Sequence, residues 1–138
     1  MGKVKKAGCI LLNIKERKIA IVYRDMFDDY SFPKGHMEDG ETLTECAIRE
    51  TAEETKRDCV LLEKDPIYIE DYVTSWGEDV EMYYYIGKDI GPSDNTSEET
   101  HTTYWIPFDE VEDILSYDSL KKVWNNVKDK VLKYLNVG

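Results

Sequence analysis

The amino-acid sequence predicts an α/β fold in which helices flank a mixed sheet, and three observations lead to this prediction. Runs with strand composition and runs with helical periodicity follow one another in the order β-β-α-β-β-β-α. The 138 residues are 41% hydrophobic and 12% aromatic, which is enough for a buried core. No repeat and no Pro-, Gly- or Ser-rich linker divides the chain, so residues 1–138 are expected to form one domain.

The first elements are a hairpin and a loop. Residues 7–14 and 18–24 are rich in β-forming residues and flank a charged turn, which predicts a β-hairpin. Residues 25–41 contain one proline and two glycines among acidic residues, which predicts a loop. Thr42 and Glu45 then fit a capping box, and the helix that they begin is expected to run to about Thr55.

The second half is predicted to be mainly strands, followed by two helices. The expected strands are residues 59–63, 66–75, 79–87 and 104–106, with a turn at 76–78 and a polar loop at 88–102. A short helix is expected at 109–115. A last helix is expected from about Ser119, because its apolar residues form one stripe.

The overall charge limits the choice of partners. The formal net charge is −11 at pH 7, and nucleic-acid backbones are bound by Lys and Arg, so no stable nucleic-acid binding is predicted. A small nucleotide accompanied by divalent cations is compatible with this charge. No run approaches the roughly 20 apolar residues that span a bilayer, so no membrane partner is expected. Three cysteines without metal-site spacing indicate free thiols and a cytoplasmic location.

The segment 49–54 is the most informative part of the chain. On a helix, Glu50, Glu53 and Glu54 project from nearly one face, where three like charges repel one another. A hard cation that prefers oxygen ligands, Mg²⁺ or Mn²⁺, would relieve this repulsion. For these three glutamates taken alone, a solvated acidic helix face is the more frequent explanation.

The preceding loop adds further candidates and a recognisable spacing. Lys34 and His36 can bind phosphate, and Gly35 permits close approach of the backbone and offers its carbonyl oxygen as a ligand. One spacing, G-x5-E-x7-R-E-x-x-E-E, joins six residues: Gly35, Glu41, Arg49, Glu50, Glu53 and Glu54. Residues 35–57 therefore resemble the box of the Nudix hydrolase family, G-x5-E-x7-R-E-U-x-E-E-x-G-U, in which U is a bulky apolar residue.

Three positions depart from this box. Thr51 occupies an apolar position, where its methyl group can still pack, and Arg57 replaces the final apolar residue. Lys56 replaces the glycine that normally ends the helix in a left-handed conformation. The helix must therefore end with another geometry or carry strain at Lys56.

The resemblance implies a fold and a set of roles. The fold would be the αβα sandwich of the family. Glu50, Glu54 and the Gly35 carbonyl would bind Mg²⁺ or Mn²⁺, and Glu53 would be a further ligand or would orient the attacking water. Arg49 would support catalysis by pairing with a box glutamate, with Glu41 as a second support. Water would attack a phosphoanhydride in a nucleoside diphosphate linked to another group.

A second resemblance lies outside the box, to asymmetric diadenosine tetraphosphate hydrolases. Its residues are the segment 32–38 and the pattern formed by Ser97, Glu99 and Trp105. It implies that Glu99 is a metal ligand or the catalytic base, with Glu98 as its substitute. Solvated loop acids are an equally simple interpretation of both. The subfamily has a histidine directly after this glutamate; this chain has Thr100 there, and His101 follows one position later.

Aromatic residues and a histidine supply candidates for substrate binding. Tyr83, Tyr84 and Tyr85 alternate across a strand, so at least one should face the cleft or solvent, and Tyr84 is the candidate for stacking on a base. We expect two of the three to pack in the core. Trp76 is a further stacking candidate at a turn, and His36 is expected to donate to a phosphate.

The resemblance implies divalent-metal-dependent hydrolysis, with a dinucleoside polyphosphate as the best match. The alternatives are a nucleoside triphosphate pyrophosphohydrolase that removes oxidised nucleotides, a 5′-cap pyrophosphohydrolase, and a non-catalytic nucleotide-sensing Nudix module. Such a module should have lost a metal carboxylate, and none is lost here.

Overall fold

The structure, a computed structural model, describes residues 3–95 and 101–137. In these residues eight strands form one mixed sheet with helices on both faces, which confirms the predicted fold class. The strands are β1 Val4–Asn13, β2 Lys18–Arg24, β3 Asp29–Ser31, β4 Lys34–His36, β5 Arg57–Leu61, β6 Tyr68–Val73, β7 Asp79–Pro92 and β8 Thr102–Pro107. The helices are α1 Leu43–Thr55, α2 Val111–Ile114 and α3 Asp118–Val137, with a 3₁₀ turn at Phe108–Glu110.

The centre of the sheet is the parallel pair β1 and β7. The strand order is β3-β2-β1-β7-β5, and β4, β6 and β8 pair with β1, β7 and β2 respectively. All pairs other than β1–β7 are antiparallel, including the predicted β1–β2 hairpin, which is confirmed. The register of β4 places Gly35 opposite Ala7 on β1. This short strand therefore fixes the Gly35 segment beside the centre of the sheet.

Two apolar clusters form the core, one on each face. Alternate residues of β1 point to opposite faces, so that Ile10 and Leu12 join one cluster while Cys9 and Leu11 join the other. The stripe of α3 covers the first cluster, as its periodicity predicts. Cys46 and Ala47 of α1 belong to the second cluster. In the described part of the chain, no helix is long and apolar enough to cross a membrane.

The segment 25–41, predicted to be a loop, contains two strands, so that prediction is wrong in part. β3 pairs with β2 and β4 pairs with β1, and each has only three residues. Strands this short depend on their partners rather than on local composition. The polar segment 88–102 was also expected to be a loop, but β7 continues to Pro92 because it pairs with β5 through an irregular register at Asp58 and Cys59.

Both ends of α1 can be compared with the expectations from sequence. The capping box is confirmed: the Glu45 amide donates to the Thr42 hydroxyl at 3.2 Å, and the Thr42 amide donates to the Glu45 carboxylate at 2.9 Å. At the other end Lys56 adopts φ 60° and ψ 30°, the left-handed conformation that glycine normally provides. Arg57 leaves the helix as the first residue of β5 and forms a bidentate ion pair with Asp89, at 2.7 and 2.8 Å.

Candidate active site

Gly35 and Glu50 are in direct contact. A Cβ atom at Gly35 would lie 2.1 Å from the carboxyl carbon of Glu50, far inside van der Waals distance. Only glycine therefore allows the backbone of β4 to approach this carboxylate. The Gly35 carbonyl also accepts a weak hydrogen bond from the Cys46 thiol at 3.6 Å, which ties β4 to the first turns of α1.

Arg49 connects the acidic residues of the box. Its guanidinium lies 2.5 Å from Glu41, 2.9 Å from Glu50 and 3.2 Å from Glu53. It also donates to the His36 carbonyl at 2.9 Å. The expected ion pair between Arg49 and a box glutamate is therefore confirmed, and one cation fixes carboxylates that would otherwise repel one another.

Glu54 points to a different set of partners. One carboxylate oxygen accepts a hydrogen bond from the Lys34 amide at 2.8 Å, and the other lies 3.4 Å from the His101 ring. Only 8% of Glu54 is exposed, and Glu50 is equally buried. The structure thus brings two acidic side chains of one helix into a largely dehydrated region beside β4.

The chemistry of these side chains fits a hard cation, although the side chains do not converge on one point. Burial, together with the negative charges of Glu53 and Glu54, raises the pKa of Glu50 to about 7, although the neighbouring Arg49 favours its ionised form. Carboxylates and a backbone carbonyl are the donors that Mg²⁺ and Mn²⁺ prefer. Across residues 3–95 and 101–137, no three His, Cys, Asp or Glu side chains converge closely enough to hold an ion. Glu50 and Glu53 turn to Arg49, and Glu54 turns to Lys34 and His101.

The box opens into a cleft with two lobes. The first, a cavity of about 330 Å³, is the acidic lobe; Gly35, Glu50, Glu54 and His101 are among its lining residues. The second, of about 420 Å³, is the deep lobe, which extends along β6. The two lobes share five lining residues: Lys6, Arg24, Phe27, Lys34 and Trp76. They therefore form one continuous cleft with the box at one end.

Three cationic side chains, Lys6, Arg24 and Lys34, lie where the lobes meet, although the net charge of the chain is strongly negative. Burial, together with the neighbouring positive charge of Arg24, lowers the pKa of Lys34 to about 8. Burial also lowers the pKa of Lys6. Arg24 is held by Asp29 at 2.6 and 2.7 Å. Bound phosphate would offset the cost of placing these charges so close together.

Several predicted binding residues lie in this cleft. Lys34 lines both lobes, and His36 lines the acidic lobe, where its ring is 3.3 Å from Glu78. Trp76 is 67% exposed at the turn before β7. The sequence did not single out Lys6, Arg24 or His101 as binding residues. Lys6 lies on β1, Arg24 lies on β2 and His101 directly precedes β8, and no local motif marks any of them.

The stacking role predicted for Tyr84 is wrong. Tyr84 is fully buried, with its ring 6.0 Å from Phe32 and 6.4 Å from Tyr68, so no ring face is open to a base. Part of the Tyr84 side chain nevertheless lines the deep lobe. Tyr85 is buried on the other face of the sheet, which confirms core packing for two of the three tyrosines. Glu98 and Glu99 lie outside the described residues.

Comparisons with known proteins identify the family. The family model described as NUDIX domain matches residues 2–135. An 8-oxo-(d)GTP phosphatase of Mycolicibacterium smegmatis is 31% identical over 106 residues, which are 77% of this chain and 32% of that protein. This chain thus spans about a third of the length of that relative.

Solved structures share the fold at lower identity. A NUDIX hydrolase from Nitrosomonas europaea has a TM-score of 0.76 and 16% identity, covering 94% of this chain and 90% of that one. An Ap4A hydrolase of C. elegans in a binary complex has a TM-score of 0.76 and 21% identity, covering 94% and 98%. These likenesses show the shared fold, and the family match over nearly the whole chain shows that the protein belongs to the NUDIX domain family.

Proposed function

We propose that this protein hydrolyses a phosphoanhydride bond in a nucleoside diphosphate linked to another group, using Mg²⁺ or Mn²⁺. The observation that carries the proposal is the cleft. Two buried carboxylates of α1 and the Gly35 backbone line the same acidic lobe as three cations. Oxygen donors for a hard cation and positive charges for phosphates are what a polyphosphate requires of a site.

The proposed metal ligands are Glu50, Glu53, Glu54 and the Gly35 carbonyl. A divalent cation held there would polarise the phosphoanhydride and stabilise the charge that develops on phosphate oxygens. Arg49 now neutralises Glu50 and Glu53, so it would keep their side chains positioned in the absence of the cation. Because it contacts carboxylates of the site, we regard Arg49 as a positioning residue.

Lys6, Arg24 and Lys34, which line the acidic lobe together with Glu50 and Glu54, would bind the phosphates. His36 would donate to a phosphate from the end of β4. The proposed base is Glu99, with Glu53 as the alternative. His101, two positions after Glu99, lines the acidic lobe, which supports placing the base in this part of the sequence.

We propose a dinucleoside polyphosphate as the substrate, on the resemblance of residues 32–38 and of the pattern at Ser97, Glu99 and Trp105. An oxidised nucleoside triphosphate is a second candidate, favoured by the M. smegmatis relative at 31% identity, which is described as an 8-oxo-(d)GTP phosphatase. Both substrates place a nucleoside beside linked phosphates.

We also propose a cytoplasmic location. The three buried thiols are consistent with it.

A substrate panel with product analysis tests this function. We expect Mg²⁺-dependent turnover of dinucleoside polyphosphates, and slower turnover of 8-oxo-dGTP, ADP-ribose and capped RNA. Fast turnover of 8-oxo-dGTP alone would favour the second candidate. Tight nucleotide binding with no turnover of any compound would instead identify a non-catalytic module.

The role of Glu99 is tested by a pair of variants. Glu99→Gln should lower kcat by about 100-fold or more with little change in KM, as expected for a base that acts in the chemical step. Glu98→Gln is the control, since it changes the same charge one position earlier. A larger loss of kcat in the Glu98 variant would transfer the role to that residue.

A further inference from the structure

The deep lobe contains a carboxyl group that the proposed hydrolysis does not use. Glu70 lies on β6 and lines this lobe together with Tyr72 and Tyr84. Along β6, Tyr68, Glu70 and Tyr72 are partly buried, whereas the alternate residues are exposed. Glu70 therefore faces into the molecule, on the side of the sheet that carries the cleft.

Glu70 is held in place without being neutralised. The Tyr84 hydroxyl donates to one of its carboxylate oxygens at 3.3 Å. Within residues 3–95 and 101–137 it has no salt bridge, although it is partly buried. Burial raises the pKa of Glu70, whereas the Tyr84 hydroxyl and the charges of Lys34 and Lys122 favour the carboxylate. A carboxylate in a cavity without a paired cation is suited to accept hydrogen bonds from a ligand.

The order of groups along the cleft indicates which part of a ligand would reach Glu70. Glu50 and Glu54 line only the acidic lobe, the three cations line both lobes, and Glu70 lines only the deep lobe. Phosphates held between the carboxylates and the cations leave the nucleoside to enter the deep lobe. Its volume of about 420 Å³ is within the range of small-molecule sites.

We propose that Glu70 selects the base of the nucleotide by accepting two hydrogen bonds from guanine, one from N1–H and one from the 2-amino group. This inference rests on the proposed function, because it uses the phosphate position to orient the nucleoside. An ionised carboxylate only accepts hydrogen bonds, and guanine presents two adjacent donors on this edge. Adenine presents one donor beside the N1 acceptor, whose lone pair would face a carboxylate oxygen.

The proposal predicts an order of affinity for the unmodified protein. The probes are the α,β-methylene diphosphates of guanosine, inosine and adenosine, which resist cleavage, and binding is measured by calorimetry with Mg²⁺. Guanosine should bind about tenfold more tightly than inosine, which lacks the 2-amino donor, and adenosine should bind more weakly still. The 1-methylguanosine analogue, which lacks N1–H, should lose at least about tenfold.

The variant Glu70→Gln should reverse this order. Its amide offers one acceptor and one donor, which match the adenine edge and leave guanine with a donor facing a donor. Guanosine should then bind about tenfold more weakly and adenosine more tightly than in the wild type. Asp71→Asn is the matched control, because the next residue on β6 is exposed and pairs with Lys3. It should keep the wild-type order.

Equal affinities of the wild-type protein for guanosine, 1-methylguanosine and adenosine compounds would overturn the proposal, as would an unchanged order in a folded Glu70→Gln variant. The comparison of guanosine with 1-methylguanosine needs no variant, so it decides the question even if Glu70→Gln fails to fold. A guanine preference without Mg²⁺-dependent turnover would overturn the proposed hydrolysis but support base selection by Glu70. Turnover without base preference would overturn base selection by Glu70 alone.

Discussion

The two faces of the sheet are built from different residues. On the α3 side the core contains large apolar side chains, including Phe32, Met82 and Trp124. On the α1 side it is made largely of alanine and cysteine, and the helix above it buries Glu50 and Glu54. One helix therefore covers a large hydrophobic core, while the other places charged groups against a thin one.

This difference separates stability from chemistry. Burying large apolar side chains is the main favourable contribution to folding, whereas burying carboxylates opposes folding unless they are paired. The small residues under α1 let the helix lie close to the sheet, so that Glu50 contacts the Gly35 backbone. We therefore expect substitutions in the large apolar core on the α3 side to change stability, and substitutions of the buried acids of α1 to change activity.

The largest change in stability is expected for Trp124→Ala. Trp124 is 2% exposed and its ring packs against Phe32 and Phe108. The free energy of unfolding should fall by about 3–5 kcal/mol, measured by urea denaturation, while kcat per folded molecule stays near wild type. Trp76→Ala removes the same side chain from an exposed turn and should change stability by about 0.5 kcal/mol or less. Similar losses in both variants would show that the α3 core is not the main source of stability.

For Glu54→Gln we expect a large loss of activity with little change in stability. The amide oxygen can still accept the hydrogen bond from the Lys34 amide, so the fold should be retained, but a proposed metal ligand loses its charge. Turnover with Mg²⁺ should fall by about 10²–10³-fold with a normal unfolding transition. Asp113→Asn, which removes an exposed charge from α2, should leave turnover unchanged. Normal turnover in the Glu54 variant would exclude this site.

A pH series tests the cost of burying the acids of α1. Burial raises the pKa of Glu50 from 4.5 to about 7, so the folded protein holds a proton that the unfolded chain releases at lower pH. The stability contributed by this group is therefore present below about pH 4.5 and is lost as the pH rises through 7. Without divalent metal, wild-type stability should fall on the order of 1–3 kcal/mol more than that of Glu50→Gln between pH 4.5 and 8. Parallel pH curves would contradict this.

The smallest expected effect is at the end of α1. Lys56 has φ 60°, a conformation in which a side chain costs about 1 kcal/mol relative to glycine. Lys56→Gly should therefore raise the free energy of unfolding by about 1 kcal/mol, seen as a higher midpoint in urea. Lys56→Ala keeps the Cβ atom and should give no such gain. Equal gains in stability in both variants would assign the effect to the loss of the lysine side chain beyond Cβ and not to the backbone conformation.

Local sequence predicted the α1 side better than the rest of the cleft. The capping residues, the acidic positions and the glycine spacing all lie within one segment, so helical geometry alone places them. The left-handed exit at Lys56 was one of two outcomes that the box departure left open. Lys6, Arg24 and Lys34 lie on three different strands, β1, β2 and β4, so they meet in the cleft only through the arrangement of the sheet.

The tyrosine run shows why side-chain roles were harder to predict than elements. Alternation correctly predicts that Tyr84 and Tyr85 point to opposite faces, but not which face is covered by α3. That depends on packing between elements distant in the sequence, and it left Tyr84 in the core. Glu70 gave no signal for the same reason: it is one acid in an ordinary alternating strand, and its position in the cleft follows from the three-dimensional fold.

Binding of a divalent cation by the acidic residues of α1 can be measured by Mn²⁺ titration followed by electron paramagnetic resonance. We expect the wild-type protein to bind Mn²⁺ with an affinity that falls about 10–100-fold in Glu54→Gln and stays unchanged in Asp113→Asn. Competition by Mg²⁺ should release the bound Mn²⁺. Equal Mn²⁺ affinity in all three proteins would rule out Glu54 as a ligand, because the cation would then be held elsewhere.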